Sequence, residues 1–137
     1  MAYGLDLPRA ARRHRDAAIE LDADPPKGKK DVAGYLYGIT AECALKEIMR
    51  LSGMRPLPRE RRRDDPFYMH FPELKTALCD QAQGRHQASL LRHARNGALL
   101  AEWDVSMRYA SGPEVLAKPI TRWRDQALAL VEEMEGA

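Results

Sequence analysis

The sequence has little cysteine, few aromatic residues and no long apolar run, and each shortage removes a class of protein. Its two cysteines, Cys43 and Cys79, cannot build a secreted disulfide framework, and no CxxC pair offers zinc or redox ligands. The longest uncharged run, Val32 to Ala41, is about half of the roughly 20 residues that a membrane span requires. Residues 1–16 carry four arginines among short apolar stretches, which leaves no apolar core for a signal peptide. A cytoplasmic protein without a membrane partner is the expectation. Charge of one sign is missing too: Lys and Arg total 22 against 20 Asp and Glu, a net charge of +2. That balance excludes a histone-like basic tail and an acidic solvating domain, while leaving room for a local basic patch. No stretch alternates β-branched residues as a strand would.

What remains is helical. With 137 residues, 45% of them hydrophobic and 31% charged, the chain has the composition of one globular domain spanning 1–137. A first helix is expected from about Pro8, with Leu7, Ala11, Ala18 and Leu21 on one stripe, stopped by Asp24-Pro25-Pro26-Lys27-Gly28. A second runs from about Asp31 to Gly53 and is apolar on nearly every face of its first half, so it belongs at the centre or at a subunit interface. Gly34 and Gly38 add a small-residue strip for close backbone approach. Residues 54–71, with Pro56, Pro58 and Pro66 around an arginine-rich run, read as a long loop, functional or mobile. A third helix is expected from Pro72 to near Gly84, with Leu74, Ala77, Leu78 and Ala82 inward. A fourth is expected from about His86 to Tyr109, with a break at Asn96-Gly97 and an end at Ser111-Gly112-Pro113. The last spans about Ile120 to Met134, with Trp123, Ala127, Leu130, Val131 and Met134 inward. The economical arrangement is an all-α, antiparallel up-and-down bundle of four to five helices.

Familiar chemical signatures fail. Gly28-Lys29-Lys30 lacks the upstream glycine and trailing hydroxyl of a P-loop. His86 and His93 stand seven residues apart, about 10 Å along one helix and too far to share a metal ion directly. Neither a metal site nor a cofactor is expected. Both cysteines fall in mid-helix apolar contexts, where packing is their expected role. The informative residue is Glu42, a carboxylate within the apolar run Ile39-Thr40-Ala41-Glu42-Cys43-Ala44-Leu45. A buried carboxylate demands a partner. Lys46 at i+4 is one, and Arg108, able to bind a carboxylate bidentately, is a second. The expected arrangement is either an ion pair tying the second helix to the fourth, or a polar pocket where Glu42, Lys46, Arg108 and Tyr109 receive a nucleotide or phosphate. A separate basic segment, 85–95, holds Arg85, His86, Arg92, His93 and Arg95 and no acidic residue. Its arginines Arg85, Arg92 and Arg95 are candidate RNA contacts, with a solvated helix face as the alternative.

The run Ala33-Gly34-Tyr35-Leu36-Tyr37-Gly38-Ile39-Thr40-Ala41-Glu42-Cys43-Ala44-Leu45-Lys46 resembles the second helix of HEPN-domain proteins. His70 ahead of Leu74 and Leu78 resembles the start of that family's third helix, although here it reads His70-Phe71-Pro72-Glu73-Leu74. Trp103 followed by Arg108-Tyr109 resembles the element before its last helix. The three matches keep the family's order and span most of residues 31–130. The resemblance implies a helical bundle that pairs as a homodimer, in a toxin–antitoxin, nucleotidyltransferase-partnered or defence setting. Many such proteins are metal-independent ribonucleases with an Arg-x4–6-His motif near the start of the last helix. No histidine follows His93, so that motif is absent there. Arg9 to His14 and Arg63 to His70 have the spacing elsewhere, about as often as chance provides. The expectation is therefore a non-catalytic binder of a nucleotide, RNA or partner protein. The alternatives are a ribonuclease with a displaced site based on His70 or His93, and a purely structural interaction module.

Overall fold

A computed structural model describes residues 3–23, 29–82 and 87–136. Among them every regular element is helical: α1 (Leu7–Leu21), α2 (Lys30–Leu51), α3 (Glu73–Gln81), α4 (Ala88–Ala94), α5 (Gly112–Leu116) and α6 (Ile120–Gly136). The first helix begins where Asp6 caps the Arg9 amide and Pro8 sits in the opening turn, a position whose missing N–H costs nothing. Ala11 and Ala18 of the expected stripe are buried, whereas Leu7 and Leu21 are partly covered. The expected stop at Asp24 to Gly28 lies outside the described residues, as does Gly84, the expected end of the third helix.

The centre of the bundle is α2. Thirteen of its residues are buried, on more than one face. Its C-terminus closes with Gly53 at φ +97, a left-handed backbone that only glycine adopts without strain. The Gly53 amide then donates to Arg50 O and the Met54 amide to Met49 O, satisfying two terminal carbonyls. Helix α1 runs antiparallel beside α2: Asp22 after its end meets Lys30 and Tyr37, while Leu7 and Pro8 share a cavity wall with Glu47 and Arg50. Helix α6 lies along α2 in the same direction, since Ile120 and Trp123 pack on Gly34 near both N-termini. Its far end reaches α1, where Arg12 pairs with Glu135 at 3.4 Å. All five expected inward residues of α6 are buried, as are Leu74, Ala77, Leu78 and Ala82 of the α3 region.

The small-residue strip on α2 receives one large ring. The Trp103 indole lies against Gly38, where a methyl group would overlap it, and its Nε1 donates to Gly34 O at 3.3 Å. Trp103 reaches that place because the expected fourth helix does not continue to Tyr109. It ends at Ala94. Residues 95–104 form turns in which Leu100 and Glu102 take positive φ, and Val105–Tyr109 is a separate 3-10 turn. Contacts from α6 hold this departure: Gln126 accepts from the Leu100 amide and donates to Ala98 O, and Trp123 Nε1 donates to Ala101 O. Pro113, expected to follow a helix end, instead stands in the first turn of α5. The long segment before α3 carries two 3-10 turns, Arg59–Asp64 and Pro66–Tyr68. Between them Asp65 is fully buried and accepts from the Leu57 and Phe67 amides.

Candidate functional site

The site grows from one stripe of α2. Tyr35, Ile39, Glu42 and Lys46 recur at helical spacing, so they line one side of the rod. Glu42 and Lys46 are both 6% exposed. Lys46 Nζ donates to Glu42 Oε2 at 3.0 Å, and His70 Nδ1 donates to Glu42 Oε1 at 2.8 Å. Each carboxylate oxygen therefore has a cationic or protonated donor, the condition for holding a carboxylate away from water. Because an ionised carboxylate only accepts, Nδ1 carries a proton in either charge state of the ring, and Nε2 is unprotonated only when the ring is neutral. The His70 side chain is 44% exposed, so the buried pair communicates with solvent through this ring.

The expected contact between Glu42 and Arg108 is not formed. Both oxygens of Glu42 are engaged by Lys46 and His70, and Arg108 sits on an exposed 3-10 turn created by the early end of α4. Its guanidinium lies over the Tyr109 ring, 5.0 Å from the centroid. A hydrogen bond with Tyr35 is the main reason Arg108 favours its charged form above the usual range. Tyr35 in turn stacks on Trp103, with ring centroids 5.7 Å apart. Arg108 stays close enough to His70 to oppose its protonation. The hydrogen bond to Glu42 outweighs this and raises His70 above its ordinary pKa. The structure thus groups Glu42, Lys46 and His70 directly and sets Arg108 and the exposed Tyr109 beside them.

Two of the three proposed RNA-contact arginines fall among the described residues. Arg92 and Arg95 are exposed on and just after α4, whereas Arg85, like His86, lies outside the described residues. Helix α4 ends at Ala94, so Arg95 lies just beyond it, and Asn96 Oδ1 accepts from the Ala98 amide. His93 Nε2 is held by Glu133 at 2.7 Å, tying α4 to α6. Cys79 is exposed, against its expected role in packing, because it falls beside Leu78 on the outer side of α3. Cys43 is half-buried, and burial, with Glu42 beside it, pushes its thiol up to about 11.

Sequence reasoning missed the α1 side of Glu42. A cavity of about 890 Å³ opens there, walled by the segment before α1, by Arg9, Ala10 and Arg13, and by Glu42, Cys43 and Lys46. His14 also lies near Glu42, but burial and Arg13 dominate and lower its pKa. The i, i+4 spacing of Arg9 and Arg13 was the available signal, masked by a first helix read only for its apolar stripe.

Among the described residues no helix is long and apolar enough to cross a membrane, and no group of three His, Cys, Asp or Glu is placed to hold a metal ion. No family model, curated protein or solved structure matches the chain.

Proposed function

We propose that this chain is a HEPN-like, non-catalytic binder of a phosphate-bearing ligand, a nucleotide or RNA, on the surface formed by His70, Arg108 and Tyr109. One observation carries the reading: a histidine biased toward its cationic form by Glu42 stands near an arginine stacked on an exposed tyrosine ring. Two cationic donors suit phosphate oxygens, and a solvent-facing ring suits a base. Lys46 and Glu42 beneath them hold His70 in place. Partly covered apolar residues along α2, namely Tyr35, Leu36, Ile39 and Cys43 beside exposed Val32, support a second copy of the chain as partner. The proposed setting is cytoplasmic, in a toxin–antitoxin module, beside a nucleotidyltransferase, or in defence against foreign nucleic acid.

Titration of the chain with adenosine monophosphate and with a labelled single-stranded RNA tests the reading. Arg108→Gln and Tyr109→Ala are expected to weaken binding about tenfold each, with affinity falling as salt rises. Binding that is absent, or indifferent to both substitutions, overturns it. Sedimentation across a concentration series tests the homodimer.

A second reading, a metal-independent ribonuclease, is favoured by the same imidazole. In its neutral form, with the Nδ1 proton given to Glu42, the ring presents an unprotonated Nε2 as a general base, while His93 has its Nε2 held by Glu133. RNA cleavage without metal that disappears in His70→Ala would select this reading over simple binding.

A further inference from the structure

We infer that the cavity on the α1 side of Glu42 is a separate site for a small amphipathic anion: a carboxylate or phosphate head carried on an apolar or aromatic body. Its lining among the described residues includes none of His70, Arg108 and Tyr109, so it goes beyond the surface described above. At about 890 Å³ it falls in the range of ligand cavities, roughly 300–1,000 Å³.

The charge argument is specific. Five charged side chains line the cavity: Arg9, Arg13, Lys46, Asp6 and Glu42. Both carboxylates are occupied. Asp6 caps the Arg9 amide and lies 3.6 Å from the Arg9 guanidinium, and Glu42 is shared between Lys46 and His70. Of the four arginines in α1, Arg9 pairs with Asp6, Arg12 with Glu135, and Arg15 with Asp16 and Glu135. Arg13 pairs with no carboxylate among the described residues. Arg13 is exposed yet lines the cavity opposite Glu42, Cys43 and Lys46, and its charge acts on both Cys43 and His14. Three cations against two carboxylates leave one surplus positive charge, the complement of a single anionic head.

The remaining wall is apolar. Leu5, Leu7, Ala10 and Phe67 line the same space, so the site divides into a cationic end and a hydrophobic end. A polymer tracking phosphates has no use for the second half. A short acyl carboxylate or an aryl phosphate fills both, burying its body at roughly 25 cal/mol per Å² of apolar surface.

The full chain is titrated by calorimetry with octanoate and with phenyl phosphate, and with acetate and inorganic phosphate as heads that lack a body. Saturable binding of octanoate or phenyl phosphate, at least about tenfold tighter than the matching bare head, is expected. The tighter of the two identifies an acyl or an aryl phosphate source. Arg13→Gln, an exposed position, should weaken that binding about tenfold. Leu5→Ser, on the exposed segment before α1, should weaken it without altering binding of the bare head. Arg108→Gln should leave it unchanged, which separates this site from the nucleotide surface. Equal binding of heads with and without a body, no saturable binding at all, or indifference to Arg13→Gln overturns the inference.

Discussion

His70 Nδ1 donates to Glu42 Oε1 at 2.8 Å across 28 residues of sequence, joining the segment before α3 to the middle of α2. The bond gives Glu42 its second donor, while Lys46 donates to the other oxygen. A carboxylate with two such partners in a buried place is stabilising only while the set is complete.

Removing Glu42 therefore strands a buried ammonium. Glu42→Ala is expected to lower stability by about 3–5 kcal/mol, because Lys46 would remain buried and unpaired. The double variant Glu42→Ala with Lys46→Met should recover much of that loss, since it removes the stranded charge as well. Urea denaturation checks both. A loss below about 1 kcal/mol for the single variant would show that the cluster is solvated.

The same contact links stability to pH with a definite sign. The folded pKa of His70 lies above its ordinary value near 6.5, so the folded state holds the proton more tightly than the unfolded chain does. Its contribution is fully present below about pH 6.5 and is lost as pH rises through the raised value. His14 opposes it: its folded pKa is lowered, so its contribution is present above about pH 6.5 and is lost as pH falls through the lowered value. Melting temperatures of the wild type and His70→Gln should therefore differ more at about pH 5.5 than at about pH 8.5. For His14→Gln the wild type should hold its greater advantage at the higher pH. A His70 difference that grows with pH would refute the assigned contact.

Part of this was legible in the sequence, and the division has a physical cause. Trp123, Ala127, Leu130, Val131 and Met134 repeat at helical spacing and all turn inward in α6, because burial on one face is a local pattern. Glu42 also stood out as a carboxylate in an apolar run, and it is buried. The contact of Glu42 with His70 was not legible, since a contact over 28 residues leaves no periodicity behind. The end of α4 was equally hidden. Leu99, Leu100 and Trp103 are buried after the helix has stopped, held by hydrogen bonds from Gln126 and Trp123 that only the folded chain supplies. Misjudging that end is what placed Arg108 opposite Glu42.

Gly38 is a sharper test of the packing around α2. Alanine is ordinarily the better helix former, by about 1 kcal/mol in a helix interior. Here its methyl group would overlap the Trp103 indole, a rigid and fully packed ring whose Nε1 also bonds to Gly34 O. Gly38→Ala is expected to destabilise by about 1–3 kcal/mol in spite of its helix propensity, as overpacking does. At Gly34 the added methyl group would meet Ile120 Cγ1 at 3.0 Å and Cδ1 at 3.3 Å, a tight contact rather than an overlap, so Gly34→Ala should cost less. Equilibrium denaturation of the two variants orders them, and a Gly38→Ala protein as stable as the wild type would mean that Trp103 does not lie there.

The two cysteines should separate cleanly in their chemistry. A thiol reacts through its thiolate, so access and pKa act together. Cys79 is exposed on the outer side of α3. Cys43 is half-buried, and burial together with the neighbouring Glu42 pushes its pKa up to about 11, which leaves very little thiolate near neutral pH. Titration of the folded chain with a chromogenic disulfide at about pH 8 should label one thiol quickly and the second only slowly or on unfolding. Cys79→Ser should abolish the fast phase, and Cys43→Ser should leave it untouched. Glu42→Gln removes the charge beside Cys43, so its slow phase should accelerate in that variant while the Cys79 phase keeps its rate. Equal rates at both thiols in the wild type would contradict the burial of the Glu42 side of α2 on which the candidate sites rest.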